Sequence, residues 1–287
     1  MKINDFKHNI CIVEIENSSF CNRKCSYCLN SYVDRFTKNE IMPYELFQKI
    51  IDELSEMEYD RVITFHRYNE PFFNQNCMIL DRISYARKKL PNASLVTSTN
   101  ADYLDAKYLK KIKDSGLDSL YCQCHLDNYR NFTIDDIKEL ISKINMRIGG
   151  FKGKFVVTND SCVFVTIGSG FRTLTIQCKN FIENGFDRGG VVKSVQKNEC
   201  EGPCYHPLIS FTIDYNGKVT SCLNTTSYCK EHVGFVIGDI KLNSITDIYE
   251  SPRACELRQA LLNGRRYEIC KFCNNNYEKL AKKYEII

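Results

Sequence analysis

Residues 19–30, SFCNRKCSYCLN, place Cys21, Cys25 and Cys28 at the spacing C-x-x-x-C-x-x-C. A closed structural zinc site takes four ligands, and no cysteine or histidine follows within the next thirty residues to complete one. Three thiolates can instead bind three irons of a cuboidal iron–sulfur cluster and leave the fourth iron open to a small molecule. The stretch therefore predicts a catalytic iron–sulfur site.

The regions around this stretch alternate between short β-rich runs and segments of helical period. Five runs predict strands: CIVEI (11–15), RVITF (61–65), SLVT (94–97), DSLYCQ (118–123) and VFVTI (163–167). Segments 42–57 and 133–147 show apolar residues at helical spacing, and Thr133 is a candidate N-cap. The alternation predicts an α/β fold with a parallel sheet, closed or incompletely closed. Active sites in such sheets form at the carboxyl ends of the strands, where the three cysteines follow the first strand.

Composition and charge restrict the class of protein. The chain has 287 residues with 26% charged residues and no low-complexity tract, which is typical of an ordered globular protein. Its net charge of +4 is scattered, which argues against a nucleic-acid partner. We see no secretory signal and no apolar stretch of membrane-spanning length, so we expect a cytoplasmic protein without a membrane partner.

Sixteen cysteines in a reducing compartment predict metal ligands, reactive thiols and small core residues, not disulfides. Four lie in apolar surroundings and are expected to be buried: Cys11, Cys77, Cys122 and Cys162.

The triad spacing, with Tyr27 before the last cysteine, resembles the signature of the radical S-adenosyl-L-methionine (SAM) superfamily. The resemblance implies a partial (β/α)6 barrel and a 4Fe-4S cluster on Cys21, Cys25 and Cys28 that cleaves SAM to a 5′-deoxyadenosyl radical. It also implies an electron donor such as flavodoxin or ferredoxin. The protein would then supply orientation and exclusion of water to chemistry carried by the cofactor.

The stretch FHRYNEPFF follows the second strand, where superfamily members bind the methionine amino group of SAM with a Gly-Gly-Glu-like motif. Glu70 keeps the acid, whereas Tyr68 and Asn69 stand where the two glycines are expected. A residue before proline favours an extended backbone, which would hold the Glu70 carboxylate at the strand end.

Four further residues and Tyr27 are expected to face the cofactor. Ser98 and Asn100, in TSTNAD after the third strand, stand where relatives bind the ribose and the methionine carboxylate of SAM. Gln123 and His125 end the fourth strand. Read from the residues alone, TSTN is equally a polar turn and His125 a structural group.

A second cysteine set follows residue 200, where LISFTIDYNGKVTSC predicts a β-hairpin through its Asn-Gly turn. Cys204, Cys222 and the C-x-x-C pair Cys270 and Cys273 supply four ligands, which suit zinc or a fully ligated iron–sulfur cluster. The arrangement looks like the twitch lobe of the SPASM/twitch branch of the superfamily. That resemblance implies one auxiliary 4Fe-4S cluster.

We predict two domains, with residues 1–199 forming the radical SAM partial barrel and 200–287 the auxiliary-cluster lobe. Helical segments are expected in the lobe over 244–263 and 274–285. Three cysteines near the lobe remain as spare residues, hydrogen-atom donors or alternative ligands: Cys200, Cys229 and Cys255.

The chain length and single auxiliary cluster resemble the members of this branch that oxidise a secondary alcohol of an aminocyclitol. Those relatives contact substrate through an arginine shortly before the first auxiliary cysteine, which implies a catalytic role for Arg188 beside Asp187, with Arg67 and Arg172 as further candidates. The alternative is a surface ion pair of Arg188 and Asp187.

Three alternatives to alcohol oxidation stay open. The enzyme could epimerise its substrate, which requires a thiol that returns a hydrogen atom. It could modify a short ribosomally made peptide, although the first strand begins near residue 11 and leaves no room for a preceding peptide-recognition module. It could instead be a non-catalytic, zinc-binding interaction protein in which both cysteine sets are structural.

Overall fold

A computed structural model of the chain describes residues 5–126, 129–195, 198–273 and 277–286. The described residues form ten strands: β1 Ile12–Ile15, β2 Val62–Thr64, β3 Ser94–Thr99, β4 Ser119–Cys124, β5 Lys152–Thr158, β6 Ser161–Ile167, β7 Thr173–Lys179, β8 Ser210–Ile213, β9 Lys218–Thr220 and β10 Val236–Asp239. They also form ten α-helices: α1 Phe6–Asn9, α2 Tyr44–Glu56, α3 Met78–Lys89, α4 Ala106–Asp114, α5 Ile134–Ile148, α6 Phe181–Asn184, α7 His206–Ile209, α8 Ile245–Glu250, α9 Pro252–Leu262 and α10 Glu278–Lys283.

The strands form one open sheet in the order β10-β9-β8-β1-β2-β3-β4-β7-β6-β5. Its centre consists of parallel strands, from β8 through β1, β2, β3 and β4 to β7. Antiparallel strands extend it on both sides, β9 and β10 beside β8, and β6 and β5 beside β7. The predicted α/β fold with an incompletely closed barrel is confirmed, and the strands after residue 200 continue the same sheet.

One predicted strand takes a different role. VFVTI lies in β6, which pairs antiparallel with both β5 and β7, so it is the middle of a meander and not part of a further β-α unit. The reason is the path after α5: Gly149 and Gly150, both with positive φ, turn the chain directly into β5. Alternation along one strand cannot reveal the direction of its neighbours.

Residue alternation along the central strands separates the core from the site. Val13, Ile63, Leu95 and Leu120 are buried in the same apolar cluster as the inner faces of α2 to α5. Each such side chain contributes about 1.5–3 kcal/mol when fully buried. The side chains that alternate with these along each strand point to the opposite, concave face of the sheet.

The helix predictions hold in detail. α2 buries the predicted face of the 42–57 segment, and Thr133 caps α5, with its hydroxyl accepting from the Asp136 N–H in a capping box. α8, α9 and α10 lie inside the predicted helical segments, although residues 274–276 lie outside the described part of the chain. None of the described helices is both long and apolar enough to cross a membrane.

The predicted hairpin is formed by β8 and β9, and Gly217 adopts a φ of +84° in its turn. Cys11, Cys122 and Cys162 are buried as predicted. The prediction for Cys77 is wrong, since its side chain is exposed at the N-cap of α3. A cap position directs this side chain to solvent while the apolar residues that follow, Ile79 and Leu80, turn inward.

Candidate active site

A cavity of about 350 Å³ opens at the carboxyl ends of the central strands. It is lined by most of the residues predicted to act together: Cys21, Cys25, Cys28, Tyr27, Arg67, Glu70, Ser98, Asn100, Gln123, His125 and Arg188. These residues come from separate stretches of the chain, and the parallel strands bring their ends to one edge.

The three cysteines follow β1 and line one wall of the cavity. The loop is held by backbone and side-chain hydrogen bonds to the Cys25 carbonyl, from the Cys28 N–H at 2.9 Å and the Ser31 hydroxyl at 2.7 Å. Burial raises the pKa of the Cys21 thiol to about 12, so a bound metal must displace its proton.

The donor set fits a cluster better than a single ion. Within the described ranges, no three His, Cys, Asp or Glu side chains converge closely enough to hold one metal ion. A cubane requires no such convergence, because each thiolate binds a different iron. The three thiols around one cavity wall therefore fit a 4Fe-4S cluster with an open iron.

Glu70 joins the ends of β2 and β3. Its Oε1 accepts hydrogen bonds from the Thr99 hydroxyl at 2.7 Å and the Phe72 N–H at 3.0 Å, and its Oε2 accepts from the Asn100 N–H at 2.7 Å. Burial raises the pKa of Glu70 to about 7, although these three donors favour the ionised form. The carboxylate is thus fixed in direction and faces the cavity.

The side chains that replace the expected glycines brace the same loop. The Asn69 side-chain oxygen accepts from the Arg67 N–H at 3.1 Å, and the Tyr68 N–H donates to Glu16 Oε1 at 3.1 Å. Side-chain hydrogen bonds here supply the loop geometry that a glycine pair would supply through its backbone freedom.

Ser98 and Asn100 lie where the third strand meets the cavity. The Ser98 N–H donates to His66 Nδ1 at 3.1 Å, and the Asn100 side-chain amide donates to Asn22 Oδ1 at 2.7 Å. Burial lowers the pKa of His66 to about 4, so it is a neutral acceptor. His66 also lines the cavity, and the sequence analysis missed it because nothing distinguishes it from a structural histidine.

An aromatic wall stands beside the cysteines. The Tyr27 hydroxyl is 2.9 Å from His125 Nδ1, and the Tyr27 ring stacks on Phe181 with centroids 5.0 Å apart. Burial lowers the pKa of His125 to about 4, so the ring that bonds to the tyrosine is neutral. Nearby, Gln123 Oε1 is buried and meets no hydrogen-bond donor among the described residues, so it is available to a ligand.

Arg188 reaches the cavity from the loop after α6 and is partly buried. One guanidinium nitrogen donates to Asn224 Oδ1 at 3.0 Å, and the guanidinium lies 5.5 Å from the Tyr68 ring centroid. Its Nε is buried and has no partner in the described part of the chain. Most of the donors of this fork are therefore available to a ligand.

The backbone of Arg188 is strained. Its φ is +51°, and Gly189 and Gly190 follow with positive φ. His232 Nε2–H donates to the carbonyl oxygens of Arg188 at 3.1 Å and Gly189 at 3.2 Å, while its Nδ1 accepts from the Thr226 N–H at 3.1 Å. His232, which the sequence analysis missed, thus holds the turn that presents Arg188.

His232 should act as a positioning residue for Arg188. A Gln at this position can still donate to the two carbonyl groups, whereas the shorter Asn cannot. We expect His232→Asn to lower substrate oxidation by roughly tenfold, or ~1.4 kcal/mol, and His232→Gln to retain most activity. Steady-state kinetics and SAM affinity of both variants provide the check. Equal losses in the two variants, or weaker SAM binding in His232→Asn, would contradict this role.

The position of Asp187 does not match the catalytic role predicted for it. Its side chain is buried and is not among the described residues that line the cavity. Burial raises its pKa, while the backbone N–H groups of Gly190 and Gly189 favour its charged form. Both carboxylate oxygens of Asp187 are buried without a hydrogen-bond partner among the described residues. The alternative of a surface ion pair does not apply, since Asp187 is buried and its carboxylate forms no ion pair with Arg188.

The two other arginine candidates lie at opposite edges of the sheet. Arg67 lines the cavity but is committed to a buried ion pair with Asp214. Arg172 lies at the amino end of β7, where it donates to Ser94 Oγ at 3.1 Å and its side chain is 65% exposed. This is the edge of the sheet opposite the cavity, so the suggestion that Arg172 binds substrate is wrong.

The second cysteine set also comes together. Cys204, Cys222 and Cys270 share an apolar cluster with residues of α9. Burial raises the pKa of Cys222, and the neighbouring thiols Cys273, Cys204 and Cys270 raise it further. Four thiols in apolar surroundings fit a fully ligated cluster.

Asn224 connects the two regions. Its N–H donates to Cys222 Sγ at 3.4 Å and its side-chain amide to Cys273 Sγ at 3.7 Å, while its oxygen accepts from Arg188. One residue therefore contacts both the candidate substrate-binding arginine, through its side chain, and two candidate cluster ligands, through its backbone and its side chain.

None of Cys200, Cys229 and Cys255 is among the described residues that line the cavity, although Cys229 packs behind the lining in a buried cluster with Tyr68 and Cys28. The Cys229 thiol donates to Glu231 Oε2 at 2.9 Å, and the Cys255 thiol lies 3.5 Å from the Glu250 carbonyl oxygen. Cys200 is half-buried, and its N–H donates to the Lys271 carbonyl oxygen at 2.7 Å.

Comparisons with known proteins agree with this geometry. Residues 15–152 match the sequence model of the Radical SAM superfamily, and residues 204–274 match SPASM, an iron–sulfur cluster-binding domain. A curated relative, the S-adenosyl-L-methionine-dependent 2-deoxy-scyllo-inosamine dehydrogenase of Niallia circulans, is 23% identical over 279 residues, which cover 96% of this chain and 97% of that protein.

Solved structures show the same fold. The crystal structure of BtrN in complex with AdoMet and 2-DOIA matches with a TM-score of 0.69 and 22% identity over 93% of each chain. Native anSMEcpe with bound AdoMet matches with a TM-score of 0.50 and 13% identity over 95% of each chain.

Proposed function

We propose that this chain, which belongs to the radical SAM superfamily and carries a SPASM iron–sulfur domain, oxidises a secondary alcohol of a small polar substrate of the sugar or aminocyclitol type. One observation carries the choice of oxidation: among the described residues lining the cavity, the only cysteines are the three candidate cluster ligands. Epimerisation needs a further thiol in the cavity to return a hydrogen atom. Cys200, Cys229 and Cys255 do not line the cavity, and the Cys229 thiol donates to Glu231 Oε2.

The residues fit two clusters and one SAM molecule. We assign Cys21, Cys25 and Cys28 to the SAM-binding 4Fe-4S cluster, and Cys204, Cys222, Cys270 and Cys273 to the auxiliary cluster. When bound, SAM and its cluster supply hydrogen-atom abstraction, and the auxiliary cluster supplies a one-electron acceptor. Glu70, Ser98, Asn100 and Gln123 would hold the polar groups of SAM, with Tyr27 beside the cluster.

Substrate binding is assigned to the other side of the cavity. The Arg188 guanidinium has donors to spare and would donate to the oxygen of the reacting alcohol. Tyr68, Phe186 and Leu223 line this part of the cavity and would exclude water. The relative's name, a dehydrogenase of 2-deoxy-scyllo-inosamine, supports a cyclitol substrate.

Three further assignments belong to this proposal. The partial barrel would comprise residues 1–199 and the auxiliary lobe 200–287, with β8, β9 and β10 of the lobe extending the sheet of the barrel. An external donor of the flavodoxin or ferredoxin type would supply electrons. The cytoplasm would house the enzyme, which is consistent with sixteen cysteines that form no disulfide.

The test is the mass of the product formed in deuterium oxide. Anaerobically reconstituted protein is incubated with SAM, a reductant and 2-deoxy-scyllo-inosamine. We expect a ketone two mass units lighter than the alcohol, and one 5′-deoxyadenosine per ketone. A product of unchanged oxidation state that carries one deuterium at the reacting carbon would instead identify an epimerase.

A further inference from the structure

Glu14 is a carboxylate of the cavity that none of the roles above uses. It lies in β1 on the concave face of the sheet, and 17% of its side chain is exposed into the cavity. Among the described residues it accepts no hydrogen bond, and its one ion pair there is long, 3.6 Å from Arg67 Nε. An enclosed carboxylate with so few partners is costly unless a ligand supplies them.

Arg67 does not satisfy Glu14, because its own donors are directed elsewhere. It forms a buried ion pair with Asp214 and donates to the carbonyl oxygens of Leu223 at 3.2 Å and Thr225 at 2.8 Å. These bonds tie the end of β2 to the segment after β9. Arg67 is thus part of the framework, and its positive charge is balanced by Asp214.

The other charged residues that line the cavity are also accounted for. Arg23 pairs with Asp102, with Nε 2.7 Å from the carboxylate. Glu70 accepts three hydrogen bonds, as described above. Glu14 and Arg188 therefore remain as the two charged groups of the cavity whose bonding capacity is largely unused.

Glu14 and Arg188 line the same cavity without bonding to each other. Burial raises the pKa of Glu14, whereas the charges of Arg67 and Arg188 lower it, and no ion pair within 4.0 Å joins Glu14 to Arg188. A molecule held between them must donate to the carboxylate and accept from the guanidinium. An amino alcohol does both, through an ammonium group and a hydroxyl oxygen.

We propose that Glu14 binds the ammonium group of a cationic amino sugar or aminocyclitol whose hydroxyl oxygen accepts from Arg188. This inference rests on the proposed function and narrows its substrate class. Neutral sugars and cyclitols would leave Glu14 without a partner and bind more weakly, because a charged site rejects an analogue that lacks its matching group.

The test measures binding, without turnover. Isothermal titration calorimetry uses the reconstituted, SAM-loaded holoenzyme without reductant, with 2-deoxy-scyllo-inosamine as the cationic probe and 2-deoxy-scyllo-inositol as its neutral counterpart. We expect Glu14→Gln to weaken binding of the cationic probe by at least ~10-fold and that of the neutral probe by less than about twofold. Glu14→Asp, which keeps the charge, should retain affinity for the cationic probe within roughly fivefold.

Iron content and SAM affinity confirm that each variant is intact. An equal loss for both probes would mean that Glu14 is structural, and it would overturn the inference. So would a native enzyme that does not prefer the cationic probe. If the cationic probe binds in a Glu14-dependent manner but is not oxidised under reducing conditions, the proposed function fails while the binding site stands.

Discussion

Replacing Cys21, Cys25 and Cys28 together by alanine should abolish formation of 5′-deoxyadenosine from SAM. These three thiols line one wall of the cavity and are the candidate ligands of the cluster with an open iron. The variant should keep its auxiliary cluster, so iron per chain should fall from about eight to about four. Iron and acid-labile sulfide analysis after anaerobic reconstitution, with chromatography of 5′-deoxyadenosine, measures both.

The matched control is Cys77→Ala, which removes an exposed thiol outside the cavity. It should keep about eight irons and full SAM cleavage. An unchanged iron content in the triple variant, or zinc in place of iron in the native protein, would contradict the cluster assignment. Zinc in place of iron would instead favour a zinc-binding interaction protein.

Arg188→Ala should lower substrate oxidation by roughly 10²–10³-fold, because it removes the cationic donor that we propose binds the reacting oxygen. SAM cleavage should persist, since Arg188 does not contact the residues assigned to SAM. The measured effect is thus uncoupling: 5′-deoxyadenosine accumulates in excess over ketone. The uncoupling in Arg188→Lys should fall between that of the native enzyme and that of Arg188→Ala, because an ammonium group keeps the charge but loses the planar fork.

Arg172→Ala is the control for this effect. Arg172 lies at the amino end of β7, on the edge of the sheet away from the cavity, and its loss should leave the ratio of ketone to 5′-deoxyadenosine unchanged. Normal coupling in Arg188→Ala, or equal uncoupling in both variants, would remove Arg188 from the substrate site.

Much of the site could be predicted from sequence because its residues follow strand ends. Cys21, Glu70, Ser98 and Gln123 each come directly after or at the end of a predicted strand, and parallel strands bring such ends to one edge. The spacing of the cysteine triad predicted a catalytic iron–sulfur site. Local pattern and one topological rule together were sufficient for this half of the cavity.

The substrate side could not be predicted in the same way. Glu14 sits within an apolar run and reads as the polar face of a strand, while His232 is a lone histidine without a motif. Their roles depend on contacts across the fold, Glu14 with Arg67 and His232 with the Arg188 turn. Such contacts cannot be predicted from the sequence. The alternation of CIVEI does, however, place Glu14 opposite the core face.

The arginine candidates illustrate the same limit. Arg67 and Arg172 both stand near strands, but one follows the carboxyl end of β2 and the other precedes the start of β7. The sequence reading did not resolve which end of its strand each arginine occupies. It also placed VFVTI in the parallel set, because the two glycines after α5 give no indication that the chain returns as a meander.

The central claim is that a SAM-derived radical removes the hydrogen atom from the carbon that bears the oxidised alcohol. The most direct measurement uses 2-deoxy-scyllo-inosamine with a single deuterium at that carbon and follows the label by mass spectrometry. The account predicts deuterium in 5′-deoxyadenosine and a ketone without it. Deuterium retained in the product, or 5′-deoxyadenosine free of label during turnover, would contradict it.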